Sequence, residues 1–413
     1  MATTRKQIRA GAIATAVALA GLVAACSKDS VDVVAPSTAI YPMFQTYVAL
    51  GNSITAGFQS GGINDSTQRE SYARLLAQQF QTRYAYASLA GDGCPPPVIN
   101  FLTQARKGGG SSTTCFLRNP ASATAVLNNV AVPGATALDP VALTSTSANL
   151  LTQLIDGGKT QVQKAVDEKA TFITMWIGNN DVLDAAAKGV TVATAALVTP
   201  GITDTVTFKT RYKADVDALL KIRNIKGMLI GVVNVTAIPL LFPAESLLSN
   251  ATLKAQFDVA SGGGVGSVTV LPNCVGSRAL VSSAILGLMQ SGAHPRIISC
   301  QANVPAAPVG NWFILDTLEQ AIFNKTITTY NNYISAQATA AGFGYVDPNP
   351  LLAQLKAAGG IPRFPDFSSA TAPYGTYISL DGIHPAKPAH VLIAKALITA
   401  INAKYSTSIP QLP

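Results

Sequence analysis

Short strand-like runs, mostly apolar, punctuate the chain at residues 47–50, 129–132, 172–177, 228–235 and 344–346. Several stop at a turn-forming residue: Gly51 after the first, Pro133-Gly134 after the second, Gly178 after the third. Runs this short and this apolar read as strands buried on both faces. Elsewhere the period changes. Tyr72, Leu75, Leu76 and Phe80 recur at helical spacing within residues 69–80, as do Phe208, Tyr212, Val216 and Leu219 within 207–223. A third helical pattern covers about 314–341. The last follows Pro388 and sets Val391, Ala394, Leu397, Ile398 and Ile401 on one face. Buried strands separated by amphipathic helices predict an α/β fold, a parallel sheet with helices on both sides.

Three segments interrupt the alternation. Residues 90–120 are rich in Gly, Pro and Ser and contain Cys94-Pro95-Pro96-Pro97. Residues 185–206 are rich in Ala, Thr and Val. Residues 243–311 hold a Gly cluster at 262–266. All three read as insertions at loop positions, able to form a cap over a site at the sheet edge. The main domain would then span residues 43–413.

The N-terminus has a different pattern. Arg5, Lys6 and Arg9 precede an apolar stretch over residues 10–25, the layout of a secretory signal peptide. That stretch is short for a full membrane span. It ends Val23-Ala24-Ala25-Cys26, which resembles a bacterial lipobox. The resemblance implies cleavage of residues 1–25, acylation of Cys26 and membrane attachment through its acyl chains. Residues 26–42, polar and broken by Pro36 and Pro42, would form the tether. Ser27 after the Cys, by the same resemblance, favours the outer membrane of a cell envelope. An ordinary signal peptide or an uncleaved anchor is the alternative.

Composition narrows the picture further. Hydrophobic residues make up 48% of the 413 and charged residues 12%, a balance that buries a large core and excludes a disordered chain. Removing the three leader cations takes the formal charge from +8 to about +5 (8 − 3). The remaining Lys and Arg are scattered, so no nucleic-acid partner is expected. Besides Cys26 there are four Cys: Cys94, Cys115, Cys274 and Cys300. An even remainder in an exported chain suggests two disulfides. Local pairing, Cys94 with Cys115 and Cys274 with Cys300, would staple two of the insertions. A metal site is the competing reading; it lacks a Cys-x-x-Cys pair, and only His294 lies near a Cys.

Serine-based ester hydrolysis needs an exposed hydroxyl with a base, a group orienting that base, and donors facing the oxyanion. Four motifs contain such parts. Gly51-Asn52-Ser53-Ile54-Thr55-Ala56-Gly57 follows the first strand and puts Ser53 at the carboxyl edge of the sheet, where open α/β sheets bind ligands. Asn129-Val130-Ala131-Val132-Pro133-Gly134-Ala135 ends at Gly134, whose backbone N–H can approach a ligand closely. Trp176-Ile177-Gly178-Asn179-Asn180-Asp181 runs from a strand into polar residues, and Asn180 offers a side-chain amide donor. Asp381-Gly382-Ile383-His384-Pro385 spaces a carboxylate three residues before an imidazole, close enough to bond Nδ1 and leave Nε2 for a serine. Taken singly, each also fits a structural role as a helix cap or a plain turn.

In this order the motifs resemble blocks I, II, III and V of the SGNH/GDSL hydrolases, over about residues 44–404. The resemblance implies a three-layer α/β/α sandwich of flavodoxin-like type. It implies Ser53 as nucleophile, Asp381 and His384 as the rest of a triad, and an oxyanion hole from Ser53 N–H, Gly134 N–H and the Asn180 side chain. No metal or organic cofactor is called for. One residue departs from the pattern: the family's first block usually reads Gly-Asp-Ser, and here Asn52 keeps hydrogen-bonding capacity but removes a charge beside Ser53. The expected function is hydrolysis of acyl esters of lipids, aryl alcohols or carbohydrates. A non-catalytic envelope lipoprotein that binds a glycan or lipid on the same fold is the second reading; a pure binder has no need to keep Ser, Asn and His together.

Overall fold

Neighbouring residues of the apolar runs go to opposite sides of one sheet, as the strand period of two requires. In β1 (Tyr47–Gly51), Val48 and Leu50 enter one core and Tyr47 and Ala49 the other. In β2 (Phe172–Trp176), Ile173 and Met175 part from Phe172 and Trp176 in the same way. In β3 (Lys226–Ile230), Leu229 parts from Met228 and Ile230. Parallel pairing adds β4 (Gly344–Val346) beside β3. The computed structural model describes residues 33–34, 39–89, 91–115, 126–142, 150–301 and 312–413. The expected signal peptide, the lipidation site Cys26 and most of the tether lie outside the described residues.

The helices include α1 (Tyr72–Phe80), α2 (Gln161–Asp167), α3 (Asn180–Lys188), α4 (Thr205–Leu219), α5 (Thr317–Ala341), α6 (Asn349–Ala357) and α7 (Lys387–Tyr405). Apolar faces of α2, α3, α4 and α5 cover one side of the sheet; α1 and α7 cover the other. This is a three-layer α/β/α sandwich. Local chemistry sets the helix ends. Asp204 caps α4 through Val206 and Thr207 N–H, and an Asp316–Glu319 capping box starts α5 at Thr317. Ile314 and Leu315, apolar residues within the helical pattern, form a strand instead.

The run at 129–132 becomes an irregular edge segment. Ala49 N–H donates to Asn128 O at 2.7 Å, and Val130 and Val132 N–H return to Ala49 and Gly51 O at 3.0 and 3.1 Å. The spatial order is therefore 128–132, β1, β2, β3, β4, with the second segment in sequence at the edge, as in flavodoxin-like sheets. Side chains interrupt its ladder. Asn128 donates to Tyr47 O and accepts from Ala85 N–H, while Asn129 Oδ1 takes the N–H of Ala131 two residues on.

Two interruptions are structured units. In residues 91–115 the segments Val98–Asn100 and Ala105–Arg106 pair as a hairpin, and a disulfide joins Cys94 to Cys115. In the third insertion, strands Leu241–Pro243 and Leu280–Ser282 join Ile314–Leu315 in a small antiparallel sheet. Phe242, Leu247, Phe257, Val281, Ile285 and Met289 give this lobe its own core, and Cys274 is bonded to Cys300. Phe101 of the first hairpin stacks on Phe367, which also meets Phe242, so Phe367 bridges the two units through aromatic rings. The second insertion needs a correction. Residues 185–188 continue α3, which closes at Gly189 (φ 69°) on N–H bonds to Ala185 and Ala186 O. The loop proper is a hairpin, Val192–Thr194 against Thr199–Gly201. Among the described residues no helix is long and apolar enough to cross a membrane.

Candidate active site

Strand register aligns the carboxyl ends. Gly51 pairs with Trp176, Trp176 with Ile230 and Ile230 with Val346, so the turns after β1 and β2 emerge side by side. At Gly51 a Cβ would come within 2.6 Å of both the Thr55 hydroxyl and the Trp176 carbonyl, which explains the glycine. Gln161 of α2 holds that residue by both backbone groups: Oε1 accepts its N–H at 2.8 Å and Nε2 donates to its carbonyl at 3.0 Å. Asn52 then caps the short helix Ser53–Ala56, accepting Ile54 N–H at 3.1 Å. Ser53 opens this turn and is 7% exposed.

From the other end of the chain, the turn after residue 378 brings Asp381 and His384 to the same edge. His384 Nε2 lies 2.9 Å from Ser53 Oγ, and His384 Nδ1 lies 2.8 Å from Asp381 Oδ2. A proton on Nδ1, bonded to the carboxylate, leaves Nε2 as an acceptor for the serine. The ring of Phe58 packs against the imidazole with centroids 5.1 Å apart.

Asp381 is held from all sides. Its Oδ2 also accepts Gly61 N–H, and its Oδ1 accepts Ser379 Oγ and the N–H groups of Ile383 and His384, each at 2.9 Å. Burial alone would raise this carboxyl. The charge of His384 and the hydrogen bonds from His384 and Gly61 outweigh it and hold the group far below the usual carboxylate range. Ser60 completes the stitch between the two loops: its N–H donates to Ser379 Oγ at 2.8 Å and its hydroxyl accepts Leu380 N–H at 3.1 Å.

The other two histidines are engaged elsewhere. His294 Nδ1 meets Pro295 O in the insertion lobe, and His390 Nδ1 accepts Tyr72 N–H inside the α1–α7 layer. Asn180 is the first residue of α3, and its Nδ2 donates to Ala135 O at 2.8 Å. That bond fastens it to the loop carrying Gly134, whose φ of 88° suits glycine. The structure thus joins Ser53, His384 and Asp381 in one hydrogen-bonded row, and sets Asn180 against the Gly134 loop at the same edge. Gln161, Ser60 and Ser379 support the site without a sequence signal of their own. They act through polar bonds to segments distant in sequence, and no periodicity marks such bonds.

Sequence neighbours of Ser53 and His384 (Ile54, Ile383 and Pro385) help line a partly open groove of about 80 Å³. Its walls are all apolar residues, including Ile54, Val233, Leu352, Ile378, Ile383 and Pro385. Among the described residues no cluster of three or more His, Cys, Asp or Glu side chains has a metal-holding arrangement.

The family model for the GDSL-like lipase/acylhydrolases matches residues 47–397, from the first residue of β1 into α7. The chain belongs to that family. This GDSL hydrolase is a serine hydrolase acting on ester bonds. Among solved structures, it resembles a mutant of the acetyl-xylooligosaccharide esterase Axe2 from Geobacillus stearothermophilus, with 10% identity, 86% of this chain and 93% of that one covered, and a TM-score of 0.37. It also resembles an extracellular lipase from Streptomyces rimosus, with 13% identity, 87% and 98% covered, and a TM-score of 0.32. No curated protein matches the sequence of this GDSL hydrolase.

Proposed function

We propose that this enzyme hydrolyses acyl esters through a covalent intermediate on Ser53. The supporting observation is the unbroken row from Ser53 Oγ to His384 at 2.9 Å and on to Asp381 at 2.8 Å. Ser53 attacks the ester carbonyl as His384 takes its proton. The oxyanion accepts hydrogen bonds from Ser53 N–H, Gly134 N–H and the Asn180 side chain. Collapse expels the alcohol, protonated by His384. A water, deprotonated in turn by His384, then releases the carboxylic acid and restores the serine. Asp381 stays ionised and stabilises the imidazolium.

The apolar groove supports an aliphatic acyl group as the preferred occupant, since each buried methylene contributes about 0.8 kcal/mol. Ser53→Ala tests the chemistry. Wild type should turn over p-nitrophenyl butyrate and take one fluorophosphonate label. The variant should take none and lose at least about 10⁴-fold in kcat. Equal turnover by the two proteins removes Ser53 from the role; a folded wild type that takes no label would favour a binding protein on this fold.

The basic, apolar and Ala-Ala-Cys26 sequence supports export and acylation at Cys26, with the hydrolase domain tethered to a cell-envelope membrane, the outer membrane in a two-membrane cell. In a bacterial host, wild type should sediment with membranes and Cys26→Ala should not. Identical fractionation of both rejects the anchor.

A further inference from the structure

Asp181 lies one residue past the proposed oxyanion donor Asn180, yet it faces inward and is 2% exposed. Its Oδ2 accepts the N–H of Ala137 at 2.9 Å. Asn180 donates to Ala135 O from the same helical turn, and Asp139 Oδ2 accepts both the N–H and the hydroxyl of Thr136 at 2.5 and 2.8 Å. Residues 135, 136 and 137 are therefore each tied down, directly after Gly134. The turn from β2 into α3 is closely packed: at Gly178, φ 107°, a Cβ would come within 2.9 Å of Phe208 and Val232.

We propose that Asp181 is a positioning residue that fixes the 134–137 loop so that Gly134 N–H faces the oxyanion; this rests on the reading of Gly134 as an oxyanion donor. A backbone donor is effective only when preorganised, because a misplaced N–H must reorganise as charge develops. The bond to a carboxylate is charge-assisted and directional. The groups around Asp181 fit that function. Burial raises its carboxyl to about 6, opposed by the Ala137 N–H, the Thr203 hydroxyl and Arg211, and reinforced by Asp139. Asp215, with neither oxygen partnered, is pushed far up by burial and by Asp181 and Asp139. The carboxyl facing Ala137 is thus favoured over Asp215 as the ionised member of the pair, because it alone accepts a backbone N–H.

The test compares kcat and KM for p-nitrophenyl butyrate, per active site counted by fluorophosphonate labelling. Asp181→Ala should lower kcat roughly 10²-fold with KM within about twofold, because only the transition state uses the donor. Asp181→Asn retains an acceptor oxygen and should stay within about threefold of wild type. Asp181→Glu retains the charge but moves the acceptor by a methylene, and should lose kcat. The double variant Asn180→Ala/Asp181→Ala should lose less than the product of the single losses, since both residues hold one loop. Unchanged kcat per labelled site in Asp181→Ala overturns the proposal. Should the alanine variant fail to fold, the other two decide: an active Glu variant beside an impaired Asn variant, or equal activities in both, rejects positioning by the acceptor. These outcomes are separate from Ser53→Ala, whose failure would remove the chemistry itself.

Discussion

A histidine buried without charge makes a fold sensitive to acid, and His390 is such a residue. It is fully buried in α7, accepts Tyr72 N–H on Nδ1, and leaves Nε2 without a partner. Burial, reinforced by His384, pulls its pKa down to about 3, against about 6.5 unfolded. The unfolded chain therefore binds the proton first, and stability falls as pH drops from about 6.5 towards 3. Between pH 7 and 4 this costs up to about 3 kcal/mol. His390→Gln keeps an acceptor for Tyr72 N–H and removes that loss, so its melting temperature should fall less than wild type's over this range. Parallel melting curves would rule the residue out as the source. Asn52 is the other instructive single residue. The sequence marks it only as a charge missing beside Ser53; the structure adds its task as the cap on Ile54 N–H. At 1% exposure, a neutral cap avoids burying an anion next to the nucleophile.

At the scale of elements, helix α6 lends Leu351, Leu352 and Leu355 to one wall of the apolar groove. The proposed acyl specificity should therefore be tunable from a helix that carries no member of the triad. Wild type is expected to favour p-nitrophenyl octanoate over acetate by at least about tenfold in kcat/KM, as a few buried methylenes would give. Leu352→Trp fills the groove and should cut that octanoate-to-acetate ratio at least tenfold; an unchanged ratio places the acyl chain elsewhere. The strands and helices that were legible in sequence are those whose burial is uniform. β1 and β2 read correctly because both faces meet apolar layers. The edge segment 128–132 did not, since its Asn side chains replace ladder bonds. Residues 185–188 read as part of an insertion because they open a longer Ala/Thr/Val-rich stretch; they end α3, and only Gly189 marks the stop.

Across the whole molecule, the motifs of the proposed triad are readable because chemistry restricts residue type, whereas their supports are not. Gln161 reaches Gly51 over 110 positions and Ser60 reaches Leu380 over 320. Contacts of that length leave no local trace. The insertions were visible as breaks in period, but not the packing of Phe101 on Phe367 that brings two of them together.

Ser53 and His384 are 331 positions apart. The proposed nucleophile is therefore synthesised 331 residues before its proposed base. A nascent or truncated chain ending between residues 53 and 384 carries the serine but not the proposed base. On the proposed mechanism the protein is its own safety catch: ester-cleaving power arrives only with the closing of the sheet by β4 and the docking of α7.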